Sequence, residues 1–291
     1  MKKWFAVLLT LTGVFALTGC TETSYGREFN QDRQIAVIAR DAGSGTHGAF
    51  IEVLGIEVTD TDGSVRDMTT IDAEVAPGTS AVITSVAGND YAIGYISLGS
   101  LNNTVTAIHI DGVAATAENV QNGSYSLFRT FYIAVQDDVD ALTQNFIDFI
   151  LSAEGQNIVA QSYVPAVSSA AGYTGGEGLS GTIVVSGSTS VAPLMERLKE
   201  AFEALHPSVT VEVHSAGSSA GITAAINSVA DIGMSSRALR ESELEQVNSI
   251  TVAYDGLAVI VNNANPIQNL TPEQVRQIFV GDMTRWSEVQ V

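Results

Sequence analysis

Three times along this chain a short run of glycine and hydroxyl residues opens directly into a stretch with helical periodicity. The runs are Gly43-Ser44-Gly45-Thr46, Gly187-Ser188-Thr189-Ser190 and Gly217-Ser218-Ser219-Ala220-Gly221. Ahead of them lie apolar, β-branched segments, Ile35 to Ala39, Thr182 to Val185 and Val209 to Val213. Strand, glycine turn and helix in succession imply an α/β chain whose sheets are mainly parallel, with ligands beyond the carboxyl ends of the strands. Each helix start leaves backbone N–H groups unpaired at the positive end of the helix dipole. Glycine lets an anion approach that backbone, and the hydroxyls add donors. A single run of this kind is equally an ordinary turn or helix cap. Three converging on one point would make a cage for an oxyanion.

Length and composition narrow the alternatives. A chain of 291 residues is long enough for two domains, and an apolar fraction of 45% with 15% charged residues describes a globular protein. The formal charge is −19 with only 13 Lys and Arg, so nucleic acid is excluded as a partner. It also means that a bound anion must be held by local dipoles and hydrogen bonds against the overall field. Cys20 is the single cysteine, which rules out an internal disulfide or a cysteine-based zinc site. His47, His109, His206 and His214 have no ligand spacing, so neither metal nor cofactor is expected.

Residues 1–19 read as an export signal: Lys2 and Lys3, then the apolar stretch Trp4 to Leu17, too short to span a bilayer comfortably. The ending Leu17-Thr18-Gly19-Cys20 resembles the bacterial lipoprotein box, which implies a lipid on Cys20 and an extracytoplasmic, membrane-anchored protein. A buried structural cysteine is the plainer alternative. Residues 20–33 are polar and read as a tether.

Further along, helices are expected at Gly45 to Leu54, Thr79 to Val86, Val191 to Leu205 and Thr271 to Phe279. Asp140 to Gln161 suits one long helix or two joined near Gly155. Strands are expected at Tyr91 to Ile96 and Phe131 to Val135, with two more, Thr251 to Ala253 and Leu257 to Val261, flanking a turn at Asp255-Gly256. Residues 166–180 are mainly Ser, Ala and Gly and read as a linker.

Taken jointly, several stretches resemble the phosphate-binding lipoproteins of bacterial phosphate ABC transporters. They are Gly187 to Pro193, Gly217 to Ile222, Asp231 to Arg237, Asp255 to Asn262, Leu270 to Phe279 with Trp286, and Arg40 to Thr46. The resemblance implies a two-lobed periplasmic-binding-protein-like fold of type II and a partner in the permease subunits of an importer. In that family the Gly-Ser-Thr loop comes first, whereas here the Arg40 half precedes it, so the order looks circularly permuted. A fragment of a longer tandem array or a misjoined frame would give the same order. A simple rotation puts 105–165 and 181–263 in lobe I, and 34–104 and 264–291 in lobe II, with 166–180 joining the usual termini.

Carried over by motif, the resemblance implies phosphate donors at Ser44, Gly45, Thr46, Thr189, Ser190, Ser218 and Ser236, with Arg40 supplying the charge. Ser188, Ser219, Asp41 and Arg237 are expected in support, Arg237 orienting Ser236 or Asp255. Some family members carry Asp where this chain has Ser236 and Ala42. The acceptor for the O–H of protonated phosphate is therefore assigned to Asp255, with Asp41 as alternative. The function expected is that of a monomeric receptor delivering inorganic phosphate to an ABC importer without acting on it chemically. A receptor for sulfate or molybdate, or a sensor or adhesin without transport, remains open. A hydrolase built on Ser44 and His47 is the enzyme alternative, though the Gly-x-Ser-x-Gly elbow is absent.

Overall fold

The computed structural model describes residues 28–60 and 65–289. The expected export signal, Cys20 and most of the expected tether lie outside the described residues. The first half of the chain runs through β1 (Ala36–Arg40), α1 (Gly45–Val53), β2 (Glu57–Thr59), β3 (Val65–Asp67), β4 (Glu74–Ala76), α2 (Thr79–Ala87), β5 (Ala92–Ser97), β6 (Val105–Ala107), β7 (His109–Ile110), α3 (Ala117–Gln121), β8 (Phe128–Val135), α4 (Ala141–Leu151), α5 (Ala153–Val159) and β9 (Val164–Pro165). The second adds β10 (Gly181–Gly187), α6 (Ala192–Leu205), β11 (Val209–Ser215), α7 (Ser218–Ile226), β12 (Ile232–Ser235), α8 (Glu241–Leu244), β13 (Asn248–Asn262), β14 (Asn269–Leu270) and α9 (Pro272–Val280).

One mixed sheet threads the molecule in the order β11-β10-β12-β8-β13-β5-β1-β4. At one end β10 pairs parallel with β11 and β12, and at the other β1 pairs parallel with β4 and β5. The antiparallel strands β8 and β13 lie between them. β13 serves both halves: residues 248–256 pair with β8, and residues 257–261 pair with β5. Two strands and a turn are expected here from Asp255-Gly256, yet the strand is continuous. The Asp255 charge is met in place by Arg129, its register partner on β8. Gly256 is packed closely, since a Cβ there would stand 3.2 Å from Val120. The 140–161 segment is two helices, broken at Ser152, whose hydroxyl caps the second by accepting the Gly155 N–H at 3.2 Å.

Apolar packing gives each half its own core. One gathers Phe50, Ile93, Tyr95, Ile260, Phe279 and Trp286; the other gathers Phe131, Phe146, Phe149, Val185, Leu198 and Phe202. Val105, Ile108, Ile110, Val120, Tyr125 and Leu127 belong to the first core, together with Leu257 to Val261. The packing boundary therefore falls at the start of β8 and inside β13, not at residue 105 or at 263. The reason is that β6 pairs with the far end of β13, which holds the segment 105–127 beside β5.

The two ends of the described chain close the first half together. Ile35 N–H donates to Thr284 O at 2.8 Å, Ser287 N–H to Gln31 O at 2.7 Å, and the Arg285 guanidinium to Asp32 O. Phe29 packs on Tyr91 and Trp286, so residues 28–33 are docked where a tether is expected. The 166–180 segment is docked as well. Its one aromatic residue, Tyr173, packs edge-on against Phe149 and reaches His206 Nε2 at 3.0 Å.

Trp286 is fully buried and ties its Nε1–H to Tyr91 O at 3.1 Å. Trp286→Ala is expected to lower stability by about 3–5 kcal/mol, read from urea unfolding. A loss under about 1 kcal/mol would mean that the pairing of the two ends contributes little to this half.

Candidate functional site

Each glycine-hydroxyl run joins the carboxyl end of a strand to the start of a helix: β1 to α1, β10 to α6 and β11 to α7. Backbone geometry makes the glycines necessary. Gly217 holds φ at 88°, and a Cβ on Gly187 would fall 2.3 Å from Met234 O. The turn at Gly217 lets Ser219 N–H donate to Gly43 O at 3.2 Å, a backbone bond between the two halves.

Hydroxyls from both halves meet at this point. Thr46 Oγ1 lies 2.8 Å from Ser190 Oγ. Thr79 Oγ1 lies 3.2 Å from both Thr189 Oγ1 and Ser190 Oγ. Ser188 Oγ donates to Ser236 Oγ at 2.9 Å, and Ser236 N–H donates to Ser218 Oγ at 3.1 Å. Gly45 closes the gap, because a Cβ there would stand 2.3 Å from Ser218 Oγ and 2.8 Å from Ser236 Oγ. Gly45, Thr46, Thr189, Ser190, Ser218 and Ser236 are thus brought together, with Ser188 among them. Ser44 is adjacent but turned to its own helix, accepting the His47 N–H at 3.3 Å.

Thr79 is the hydroxyl that the sequence reading passed over. Pro77-Gly78-Thr79-Ser80 has the same form as the other runs, a glycine and hydroxyls opening a helix, and could have been found on that basis.

Arg40 ends β1 with its side chain only 2% exposed. Its Nε donates to Ala76 O at 3.1 Å and its Nη2 to Pro77 O at 3.4 Å, both carbonyls just ahead of Thr79. The nearest carboxylate oxygen, on half-exposed Asp41, is 3.8 Å away. Burial lowers the Arg40 pKa; Asp41 and Tyr95 oppose the shift and Arg129 adds to it. The guanidinium stays protonated. It is a buried cation held by two backbone carbonyls and, more loosely, by half-exposed Asp41 at 3.8 Å.

Asp255 does not join the hydroxyl cluster. Its Oδ2 accepts from Arg129 Nε at 3.1 Å and Nη2 at 2.9 Å, and its Oδ1 accepts from Ser97 at 2.9 Å. Burial pushes the Asp255 carboxyl up, and the Arg129 guanidinium works against that shift. Its expected role as acceptor for a ligand proton is displaced by this pairing across β8 and β13. Arg129, an arginine inside the apolar run Phe128 to Val135, is the missed partner. Its Nη1 is buried without a hydrogen-bond partner among the described residues.

Arg237 orients neither Ser236 nor Asp255. It forms two 2.8 Å bonds to Glu243 and reaches Ser219 Oγ at 3.3 Å. His47 faces away from Ser44, with Nδ1 2.7 Å from Tyr95 Oη and Nε2 2.6 Å from Asp67 Oδ2. Burial raises the Tyr95 pKa, so the phenol keeps its proton. Tyr95 Oη also accepts the Arg40 N–H at 3.0 Å. These side chains brace the backbone of Arg40 and engage His47 away from Ser44.

The PBP superfamily domain matches residues 10–154 and 172–291 of the chain. Phosphate-binding protein PstS 2 of Streptococcus agalactiae serotype V is 41% identical over 282 residues, covering 96% of this chain and 94% of the relative. Phosphate-binding protein PstS of Pseudomonas aeruginosa is 34% identical over 115 residues, covering 37% of this chain and 36% of the relative. Among solved structures, that of a phosphate ABC transporter, phosphate-binding protein from Streptococcus pneumoniae TIGR4, superposes with a TM-score of 0.70 at 42% identity. It covers 89% of this chain and 100% of that one. The two-lobed α/β fold, the glycine-hydroxyl junctions and these full-length similarities agree: the chain belongs to the PBP superfamily and, within it, to the family of the PstS proteins.

Proposed function

We propose that this protein is the extracytoplasmic receptor of an ABC importer and that it encloses inorganic phosphate between its two lobes. The observation that carries the reading is a cluster of hydroxyls drawn from both lobes, Thr46 and Thr79 against Thr189 and Ser190, with the buried Arg40 guanidinium bonded to the carbonyl of Pro77, two residues before Thr79. Such a cation favours an anion in contact, and a planar guanidinium can offer two N–H groups to a tetrahedral oxyanion. The names of the full-length relatives point to phosphate. Arg40, Gly45, Thr46, Thr79, Thr189, Ser190, Ser218 and Ser236 form the proposed binding surface, with Ser44 and Ser188 behind it.

Closure follows from where these groups sit. An anion bonded to Thr46 and Thr79 on one lobe and to Ser190 and Ser218 on the other gains all of its bonds only when the lobes meet, so it selects the closed state. A permease would then recognise that state. The protein performs no reaction on its ligand in this reading, and a lipid on Cys20 would hold it at the membrane as a monomer.

A rotated segment order completes the proposal. Linear alignment runs nearly full length with the S. agalactiae relative but stops after 115 residues with the P. aeruginosa one. That is the outcome when one order is a rotation of the other. The docking of residues 31–35 on 284–287 brings the ends of the described chain together, as a rotation requires.

Arg40→Met is expected to weaken phosphate binding at least about a hundredfold in calorimetry, because it removes charge-assisted bonds. Its melting temperature should change little, since the lost bonds to Ala76 O and Pro77 O are offset by no longer burying a charge. Binding within a few-fold of the unmodified protein would remove Arg40 from the site. Gly45→Ala places its methyl against Ser218 and Ser236 in the closed form alone. Phosphate affinity is expected to fall roughly ten- to hundredfold with little change in melting temperature. Unchanged affinity would mean that these surfaces do not meet around the ligand.

A further inference from the structure

We infer that the junction of the lobes binds one buried water molecule between Arg129, Tyr163 and Ser100, and that this water links one lobe to the other beside the crossover strands. Such a site is independent of which anion the cleft takes. It is built around Asp255, where β13 passes from pairing with β8 to pairing with β5. The carboxylate accepts from Arg129 Nε and Nη2 on β8 and from Ser97 Oγ at the end of β5, and the Gly99 N–H favours the same charge.

Three polar atoms around that carboxylate are buried without a hydrogen-bond partner among the described residues: Arg129 Nη1, Tyr163 Oη and Ser100 Oγ. Packing gathers them. The Tyr163 phenol lies against Gly99, since a Cβ there would stand 2.3 Å from Tyr163 Oη, and Ser100 is the next residue. The Tyr163 and Phe131 ring centroids are 5.5 Å apart, and the Arg129 guanidinium carbon is 5.0 Å from the same Phe131 centroid. The Arg129 side chain and Tyr163 are each 2% exposed, so bulk solvent does not reach them. Burial, with the Asp255 charge, pushes the Tyr163 phenol up to about 12, and it keeps its hydrogen.

A buried polar atom without a partner is costly, and three of them around one carboxylate point to a shared ligand. Nη1 can only donate, whereas each hydroxyl both donates and accepts. Water matches that set: its oxygen accepts the guanidinium hydrogen, and its own two hydrogens go to the hydroxyl oxygens. A halide would accept from all three groups but would set a second negative charge beside Asp255 against the one Arg129 cation. Tyr163 belongs to the core of one lobe, and Ser100 follows Leu98, which packs on the core of the other. The water therefore bridges the lobes.

Ser100→Ala and Tyr163→Phe test the site, because each removes a hydroxyl that bonds to no described protein group. Deleting a hydroxyl that is merely buried and unpaired leaves the melting temperature unchanged or raises it. Deleting one that holds a water is expected to lower it, by about 2–4 °C for each variant. A crystal structure of the protein grown in sodium bromide and refined to about 1.5 Å supplies the second measurement. One solvent peak without anomalous signal is expected within about 2.6–3.2 Å of Arg129 Nη1, Tyr163 Oη and Ser100 Oγ. A bromide peak at that point, no solvent peak within reach of these atoms, or melting temperatures that hold or rise in both variants would each overturn the inference. All three results leave the receptor reading untouched.

Discussion

Arg40 and Arg129 are both buried near the junction of the lobes, and they differ in how their charge is met. Arg129 touches Asp255 across β8 and β13, the two strands that run between the halves of the sheet. That pair neutralises itself and holds in register the segment about which the halves are joined. Breaking one partner of such a buried pair typically costs about 3–5 kcal/mol. Arg40 has the carbonyls of Ala76 and Pro77 and a looser ion pair at 3.8 Å with half-exposed Asp41, and Arg129 adds repulsion. Its burial is therefore an energetic debt within the free protein, and a bound anion is the natural means of offsetting it.

The protein as a whole carries a formal charge of −19, which eases the burial of a cation but repels an approaching anion. Attraction must come from short-range geometry. Neutral hydroxyls suit that role because they bond one another when the lobes meet, as Thr46 does with Ser190 and Thr79 with Thr189, and so leave no polar atom stranded. Exchanging these bonds for bonds to an oxyanion alters the count little. The gain comes from charge, since each N–H or O–H aimed at an anion is worth about twice its neutral counterpart.

The strands and helices that carry the three glycine-hydroxyl runs are legible in the sequence, because local rules govern them: β-branched runs, glycine turns and helical periodicity. Arg40 stands out for a similar reason, as a charge at the end of an apolar strand. The pairing of Asp255 is not legible locally, because Arg129 lies 126 residues away and Asp-Gly alone is the pattern of a turn. Thr79 is legible only as a helix start, since its contacts to Thr189 and Ser190 exist only after the halves assemble. The segment 166–180 has the composition of a linker, yet Tyr173 packing on Phe149 and bonds from Val167, Gly176 and Ala171 to residues 145–156 dock it. Long-range pairing, not local propensity, decided each of these cases.

An experimental structure of the protein crystallised with phosphate addresses the site most directly. The anion is expected between the lobes, with oxygens about 2.7–3.2 Å from the Arg40 guanidinium and from hydroxyls or N–H groups of both Thr46 and Ser190. Phosphate bound to one lobe alone, or bound without contact to Arg40, would contradict closure around a charge-compensating ligand.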